Sequence, residues 1–175
     1  VLSGTLSFRQ ILDNQDAGLC YAALNPLGFL IFFVCALAET NRAPFDLPEC
    51  ESELIGGYHT EYSSMKLGFY LFAEYINMFI SSAVMAGLFF GGYNFPYAKE
   101  VYTALGLVDG HWAIAAIGFA VYFIKICIFI SVFMWIRWTL PRFRYDQLMN
   151  LGWKVLIPLS ILNIFIVSLV KYFID

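Results

Sequence analysis

Residues 112–136 read WAIAAIGFAVYFIKICIFISVFMWI, an apolar run interrupted by one charge, Lys125. A helix needs about 20 such residues to cross about 30 Å of hydrocarbon, and this run supplies them with little else to do in water. The rest of the chain is built alike. Of 175 residues, 61% are hydrophobic, 19% aromatic and 13% charged. Soluble domains carry about 45–50% apolar and about 25% charged residues, so neither a soluble globule nor a disordered chain fits. The expectation is an all-α integral membrane protein. A net charge of −3 without a basic run argues against nucleic acid as a partner.

Three more stretches qualify or nearly so. Residues 17–38 carry no charge, and Pro26 places the start of the helix proper near there. Residues 67–92 are interrupted only by Glu74. Residues 155–170 are short for a span, but Lys154 and Lys171 at the ends can snorkel and lengthen it, and Pro158 in its first turns bends it slightly. The reading is four transmembrane helices at about 24–38, 67–92, 112–136 and 153–173, all within a transmembrane domain of residues 17–175, with residues 1–16 as an outer loop. Val1 opens the chain without a basic leader, which reads as a cut through a longer protein.

Lys and Arg in short loops set orientation. Arg137, Arg142, Arg144 and Lys154 place residues 137–154 in the cytoplasm, whereas the loop at 93–111 holds only Lys99. Alternation puts residues 39–66 in the cytoplasm and Asp175 outside. Trp135, Trp138 and Trp153 mark one interface, and Tyr93, Tyr97 and Trp112 the other.

Cys20, Cys35, Cys50 and Cys127 are far apart, with no C-x-x-C pair. A metal or iron–sulfur site within this chain is not expected, and three of the four read as small buried hydrophobes. Nor is there a glycine-rich phosphate loop.

The informative segment is the long acidic cytoplasmic loop between the first and second spans. Residues 39–66 hold Glu39, Asp46, Glu49, Glu51, Glu53 and Glu61 together with Phe45, Leu47, Leu54, Ile55 and Tyr58. That mixture points to a segment packed against protein at the membrane surface. Asp46 can cap a short helix with Pro48 in its first turn, ended by Gly56-Gly57. Capping of a surface helix would account for these acids about as well as chemistry would. Glu74 and Lys125 tilt the balance, since each costs about 2.5–3.5 kcal/mol inside a membrane by insertion scales. Lys125 can be a structural partner of Glu74 or another acid, or both can belong to a proton path. Arg42 can pair with Glu39 or Asp46. Clustered carboxylates in partly desolvated surroundings titrate as a coupled group, the requirement for a relay.

The run Ala38-Glu39-Thr40-Asn41-Arg42-Ala43-Pro44-Phe45-Asp46-Leu47-Pro48-Glu49 resembles the signature of the H-type membrane subunit family of bacterial respiratory complex I, NADH-quinone oxidoreductase, which is the subunit-one family of the mitochondrial enzyme. The likeness continues through Glu51-Ser52-Glu53-Leu54, residues 57–66, Ala73-Glu74-Tyr75, Leu88-Phe89-Phe90-Gly91-Gly92, residues 137–148 and Gly152-Trp153-Lys154. It implies a C-terminal half, with about as many residues again forming four earlier spans. It also implies a subunit of a translocase in the bacterial inner membrane, not catalytic alone, bound to hydrophilic quinone-site and iron–sulfur subunits and to neighbouring membrane subunits. Ubiquinone or menaquinone is the implied substrate, with no flavin or iron–sulfur cluster in this chain. By motif match, Arg42, Phe45, Asp46, Glu49 and Glu51 line a quinone tunnel. Glu39, Glu53, Glu61 and Glu74, with Lys125, couple quinone reduction to proton translocation. Cys50 stands where the family usually has Ala or Gly.

Two other readings compete: the homologous subunit of a membrane-bound hydrogenase or ferredoxin-dependent complex, and an ion-conducting membrane protein without redox partners. A purely structural anchor is a third, and predicts that acid substitutions leave turnover unchanged.

Overall fold

Pro26 has no N–H to give a preceding turn, so a helix can begin there but not run through it. In the computed structural model, which describes residues 2–16, 20–47, 55–95 and 112–174, the chain does break at this point. A single turn, α2 (Tyr21–Leu24), ends at Asn25, and α3 (Pro26–Glu39) starts beside it. The Asn25 carboxamide oxygen accepts the Gly28 N–H at 2.9 Å and caps the new helix.

Helices are the main regular structure among the described residues. Ahead of α2 lies α1 (Phe8–Asp16), inside the stretch expected as an outer loop. After α3 come a 3-10 turn (Gly57–Thr60), α4 (Met65–Phe90), α5 (Trp112–Thr139), α6 (Tyr145–Asn150), a π-helical turn (Leu151–Leu156) and α7 (Ile157–Ile174). Three helical runs are long and apolar enough to span a membrane: Met65–Phe90, Trp112–Thr139 and Tyr145–Phe173. The shorter α3, with 14 residues, reaches about 21 Å. This is an all-helical membrane protein.

The last span starts earlier than its apolar run, because α6 and the π turn lead into α7 without a break. The π turn immediately precedes Pro158. A proline ring crowds the carbonyl four residues back, and a widened turn there relieves the clash.

The packed centre is small. Ala36 and Leu37 of α3, Met85 and Ala86 of α4, and Ile126, Phe129 and Phe133 of α5 are buried together with Phe45. Phenylalanine rings knit the three helices. Phe29 meets Phe89 edge-on at 5.4 Å and Phe90 at 5.5 Å, and Phe33 stacks on Phe133 at 5.3 Å. Elsewhere α5 and α7 leave wide apolar faces uncovered, as helices do where lipid takes the place of a protein core. Cys35 and Cys127 lie on such exposed faces, contrary to the expectation of burial. An apolar run marks protein interior only in water; in a membrane the outer face is equally apolar.

Candidate functional site

Two polar assemblies sit along α4, one at Glu74, ten residues into the helix, the other at its C-terminal end. The first gathers where α3 ends, α4 begins its course and α5 gives way to α6. The end of α3 is fixed by Thr40, whose buried hydroxyl donates to the Leu37 carbonyl at 3.0 Å. Its neighbour Asn41 takes the left-handed conformation at φ 48°, which turns the chain back toward the bundle. The turn then closes with the Phe45 N–H donating to the Arg42 carbonyl at 2.9 Å.

This turn carries Arg42, Phe45 and Asp46 inward, and all three are buried. The Arg42 guanidinium reaches α4 and pairs with the Glu74 carboxylate at 3.2 Å, while its carbon lies 4.5 Å from the centre of the Tyr75 ring. The side chains of Arg42 and Glu74 are only 10% and 21% exposed, so the pair is largely withdrawn from solvent. Arg142, from the link after α5, approaches Asp46 at 3.7 Å. The same link is held by the Phe143 N–H donating to the Pro44 carbonyl at 2.9 Å, and by Phe143 against Phe45 at 5.5 Å. Two cations and two carboxylates from distant parts of the chain thus converge on one end of the bundle.

The sequence-derived candidates divide accordingly. Arg42, Phe45, Asp46 and Glu74 come together. The partner found for Arg42 is Glu74, 32 positions along the chain, rather than its near neighbour Glu39. The Glu39 side chain is exposed; its backbone carbonyl accepts from the Asn77 carboxamide at 3.1 Å. Glu61 is exposed in the turn after the 3-10 segment. Glu49, Glu51 and Glu53 lie outside the described residues, as does Cys50. Most of the helix expected after Asp46, residues 48–54, lies outside the described residues; Leu47 and Ile55 on either side are helical, and Gly56 turns left-handed at φ 81°. Arg142 and Tyr75 were not singled out from the sequence as site residues. Arg142 lies 96 positions from Asp46; the sequence marked it by the positive-inside count and within the family-like run 137–148, without a site role.

Lys125 belongs to the second assembly. Its ammonium donates to the carbonyls of Phe90 at 2.7 Å and Gly92 at 2.8 Å, and also to that of Asn94. These oxygens lie at the C-terminal end of α4, where Gly91 adopts φ 68° and the Gly92 N–H returns to the Ala86 carbonyl at 3.1 Å. Nearby, Gln15 of α1 donates to the Leu88 carbonyl at 3.0 Å. Glu74 stands 16 residues before Phe90, about 24 Å along the helix. The structure therefore does not pair Lys125 with Glu74; its partners are peptide oxygens.

Among the described residues no group of three His, Cys, Asp or Glu side chains is arranged to hold a metal ion. The site is an array of charge pairs on one side of the helix bundle.

Residues 1–168 match the family model described as NADH dehydrogenase. Among curated proteins, the chain is 59% identical over 169 residues to a Flavobacterium psychrophilum protein named as the H-subunit of NADH-quinone oxidoreductase, covering 97% of this chain and 48% of the relative. It is 61% identical over 164 residues to H-subunit 1 of the same enzyme from Cytophaga hutchinsonii, covering 94% and 46%. The H-subunit from Salinibacter ruber is 46% identical over 173 residues, covering 97% and 50%. The chain spans about half the length of the curated relatives it matches.

Proposed function

We propose, because the chain belongs to the NADH dehydrogenase family, that it serves as membrane subunit of a proton-pumping NADH:quinone oxidoreductase. In this reading it forms part of the quinone tunnel and couples quinone reduction to proton translocation. The names of the relatives favour this over a hydrogenase-type subunit or an ion conductor without redox partners.

The observation that carries the reading is the withdrawn Arg42–Glu74 pair beside Asp46 and Arg142. A largely buried ion pair contributes little net stability compared with apolar packing. It does make a sensitive device, because adding or removing a charge nearby shifts the protonation of every carboxylate in the group. Quinone reduction does that: two electrons arrive and two protons must follow, in a site with little water.

Arg42, Phe45 and Asp46 face the quinone in this proposal, with Glu49 and Glu51 following in the chain. Glu74 takes up the electrostatic change through Arg42, and Glu39, Glu53 and Glu61 carry the proton coupling onward. Lys125 holds the far end of α4. Residues 137–154 face the cytoplasm by their Lys and Arg count, residues 39–66 follow by alternation of the spans, and the membrane is the bacterial inner membrane. The protein then works only with iron–sulfur and flavin-bearing partners.

The test is Glu74→Gln in the complete enzyme. Quinone reductase turnover should fall with assembly intact, and proton pumping should fall with it. Glu39→Gln should behave alike but more mildly, because that carboxylate is more open to solvent than Glu74's place beside Arg42. Normal turnover and pumping in a fully assembled Glu74→Gln enzyme would overturn the coupling role.

A further inference from the structure

Two separate elements grip the C-terminal turn of α4. Beyond Phe90 the chain leaves the helix through Gly91 at φ 68° and Gly92 at φ 54°. Left-handed residues end the helical ladder and leave carbonyls free for other donors. The turn's own bonds are the Gly92 N–H to the Ala86 carbonyl at 3.1 Å and the Asn94 N–H to the Gly91 carbonyl at 2.9 Å.

The first grip comes from α5, where Lys125 takes the carbonyls of Phe90, Gly92 and Asn94. The second comes from α1. Its Leu12 packs so closely on Gly92 that a Cβ there would stand 2.8 Å from a Leu12 methyl. The Asn94 carboxamide donates to the Leu12 carbonyl at 3.3 Å, and the Tyr93 hydroxyl to the Asp13 carboxylate at 3.1 Å. One turn earlier, Gln15 donates to the carbonyls of Leu88 at 3.0 Å and Gly87 at 3.4 Å. Gly92 and Asn94 thus serve both grips. Their carbonyls go to Lys125, while the bare Cα of one and the side chain of the other go to α1.

On its own α1 is weakly built. Nine residues are too few for a stable helix in water. Leu12 and Gln15 are buried, whereas Arg9, Gln10, Asp13 and Asn14 are exposed. Its order therefore depends on the turn beneath it, and the order of that turn depends on α1 and Lys125. Segments linked in this way open as units rather than residue by residue.

We propose that α1 and Lys125 form one cooperative latch on α4. Helix α1 is a strap able to lift from the turn, and strap and ammonium hold or release together. With the latch shut, the C-terminal end of α4 is fixed. With it open, the turn at 91–94 loosens and α4 is held by the rest of its packing. The latch stands whether or not the redox reading holds, because it shares no contact with the Arg42–Glu74 and Asp46–Arg142 pairs.

The test is hydrogen–deuterium exchange on the complete enzyme in detergent, read by mass spectrometry on peptides covering residues 8–16 and 87–95. Coupling between two sites is reciprocal, so each grip is broken in turn and the other is watched. Gln15→Ala should speed exchange of the Gly92 and Asn94 amides, and Lys125→Met should speed exchange across α1. Each acceleration should be at least about fivefold, the low end for coupled sites. A peptide covering residues 66–76, in the N-terminal half of α4, should not change. If Lys125→Met fails to assemble, Leu12→Ala takes its place and should speed exchange both in α1 and at 91–94. No acceleration across α1 when Lys125 is replaced, or none at 91–94 when Gln15 is replaced, would overturn the latch and leave two independent contacts. Equal acceleration at 66–76 would also overturn it, as general loosening.

Discussion

The N-terminal half of α4 and its C-terminal end are anchored by opposite means. Around the first, side-chain carboxylates meet side-chain cations: Glu74 with Arg42, and Asp46 with Arg142. At the other, a single ammonium, Lys125, meets backbone carbonyls, helped by the neutral carboxamide of Gln15. The first arrangement contains two groups that can gain a proton, and its balance changes when charge arrives. The second is built on peptide dipoles at a helix C-terminus, which favour a cation at any pH where the ammonium is charged. One end is built to respond and the other to hold.

Breaking the holding end should have the largest effect. Lys125→Met leaves three carbonyls at the end of a membrane helix without their donor, and hydrogen bonds to a charged group contribute about 1.5–3 kcal/mol each. The loss should reach about 4 kcal/mol after partial relaxation, read as a lower midpoint for thermal unfolding in detergent. Lys125→Arg should recover part of it. Proton pumping lost in a Lys125→Met enzyme of unchanged stability would instead make the two ends alike.

Arg42→Ala comes next. It takes the guanidinium away from Glu74 in a largely enclosed position, at a cost of up to about 3 kcal/mol, the low side for breaking a buried pair. The double variant Arg42→Ala/Glu74→Ala should recover part of that loss, measured by the same unfolding midpoint, whereas Lys125→Met is held by peptide oxygens and has no such rescue.

Gly87→Ala tests how α1 closes the holding end. A Cβ at this position would run into the Phe8 ring, and an overpacked contact costs about 1–3 kcal/mol. Proteolysis within the segment preceding α2 should speed up if α1 lifts away, and Phe8→Leu should relieve the clash.

The smallest effect belongs to Asp46→Asn. Asp46 is buried, but Arg142 beside it is 39% exposed and 3.7 Å away, and Asn keeps the shape of the side chain and one acceptor oxygen, so the stability change should stay near about 1 kcal/mol. Quinone reductase activity should fall far more than stability does. Equal, small changes in both would assign Asp46 to structure alone.

Much of this was legible beforehand. The apolar runs placed α4 and α5 within two or three residues of their ends, and Pro26 marked the start of α3, because hydrocarbon thickness and the missing proline N–H are local constraints. Of the five apolar residues that marked the acid-rich segment after α3 as packed, Phe45 is buried and Leu47 half-buried, whereas Ile55 is 80% exposed. The partners were not legible. Arg42 had acids three and four positions away and took one from another helix instead, and a buried Lys125 suggested an acid but found carbonyls. Helix α1 was hidden because a short, mixed stretch owes its helicity to packing on α4.

What the amino-acid order determined by itself, then, is which segments must leave water, where each helix can start, and which charges are too costly to be idle. These follow from transfer free energies and from single-residue stereochemistry. Only the tertiary structure decided which opposite charges meet, which helix end Lys125 secures, and that Arg142 closes on Asp46. Such choices depend on how helices distant in sequence are brought side by side, and no local preference encodes that.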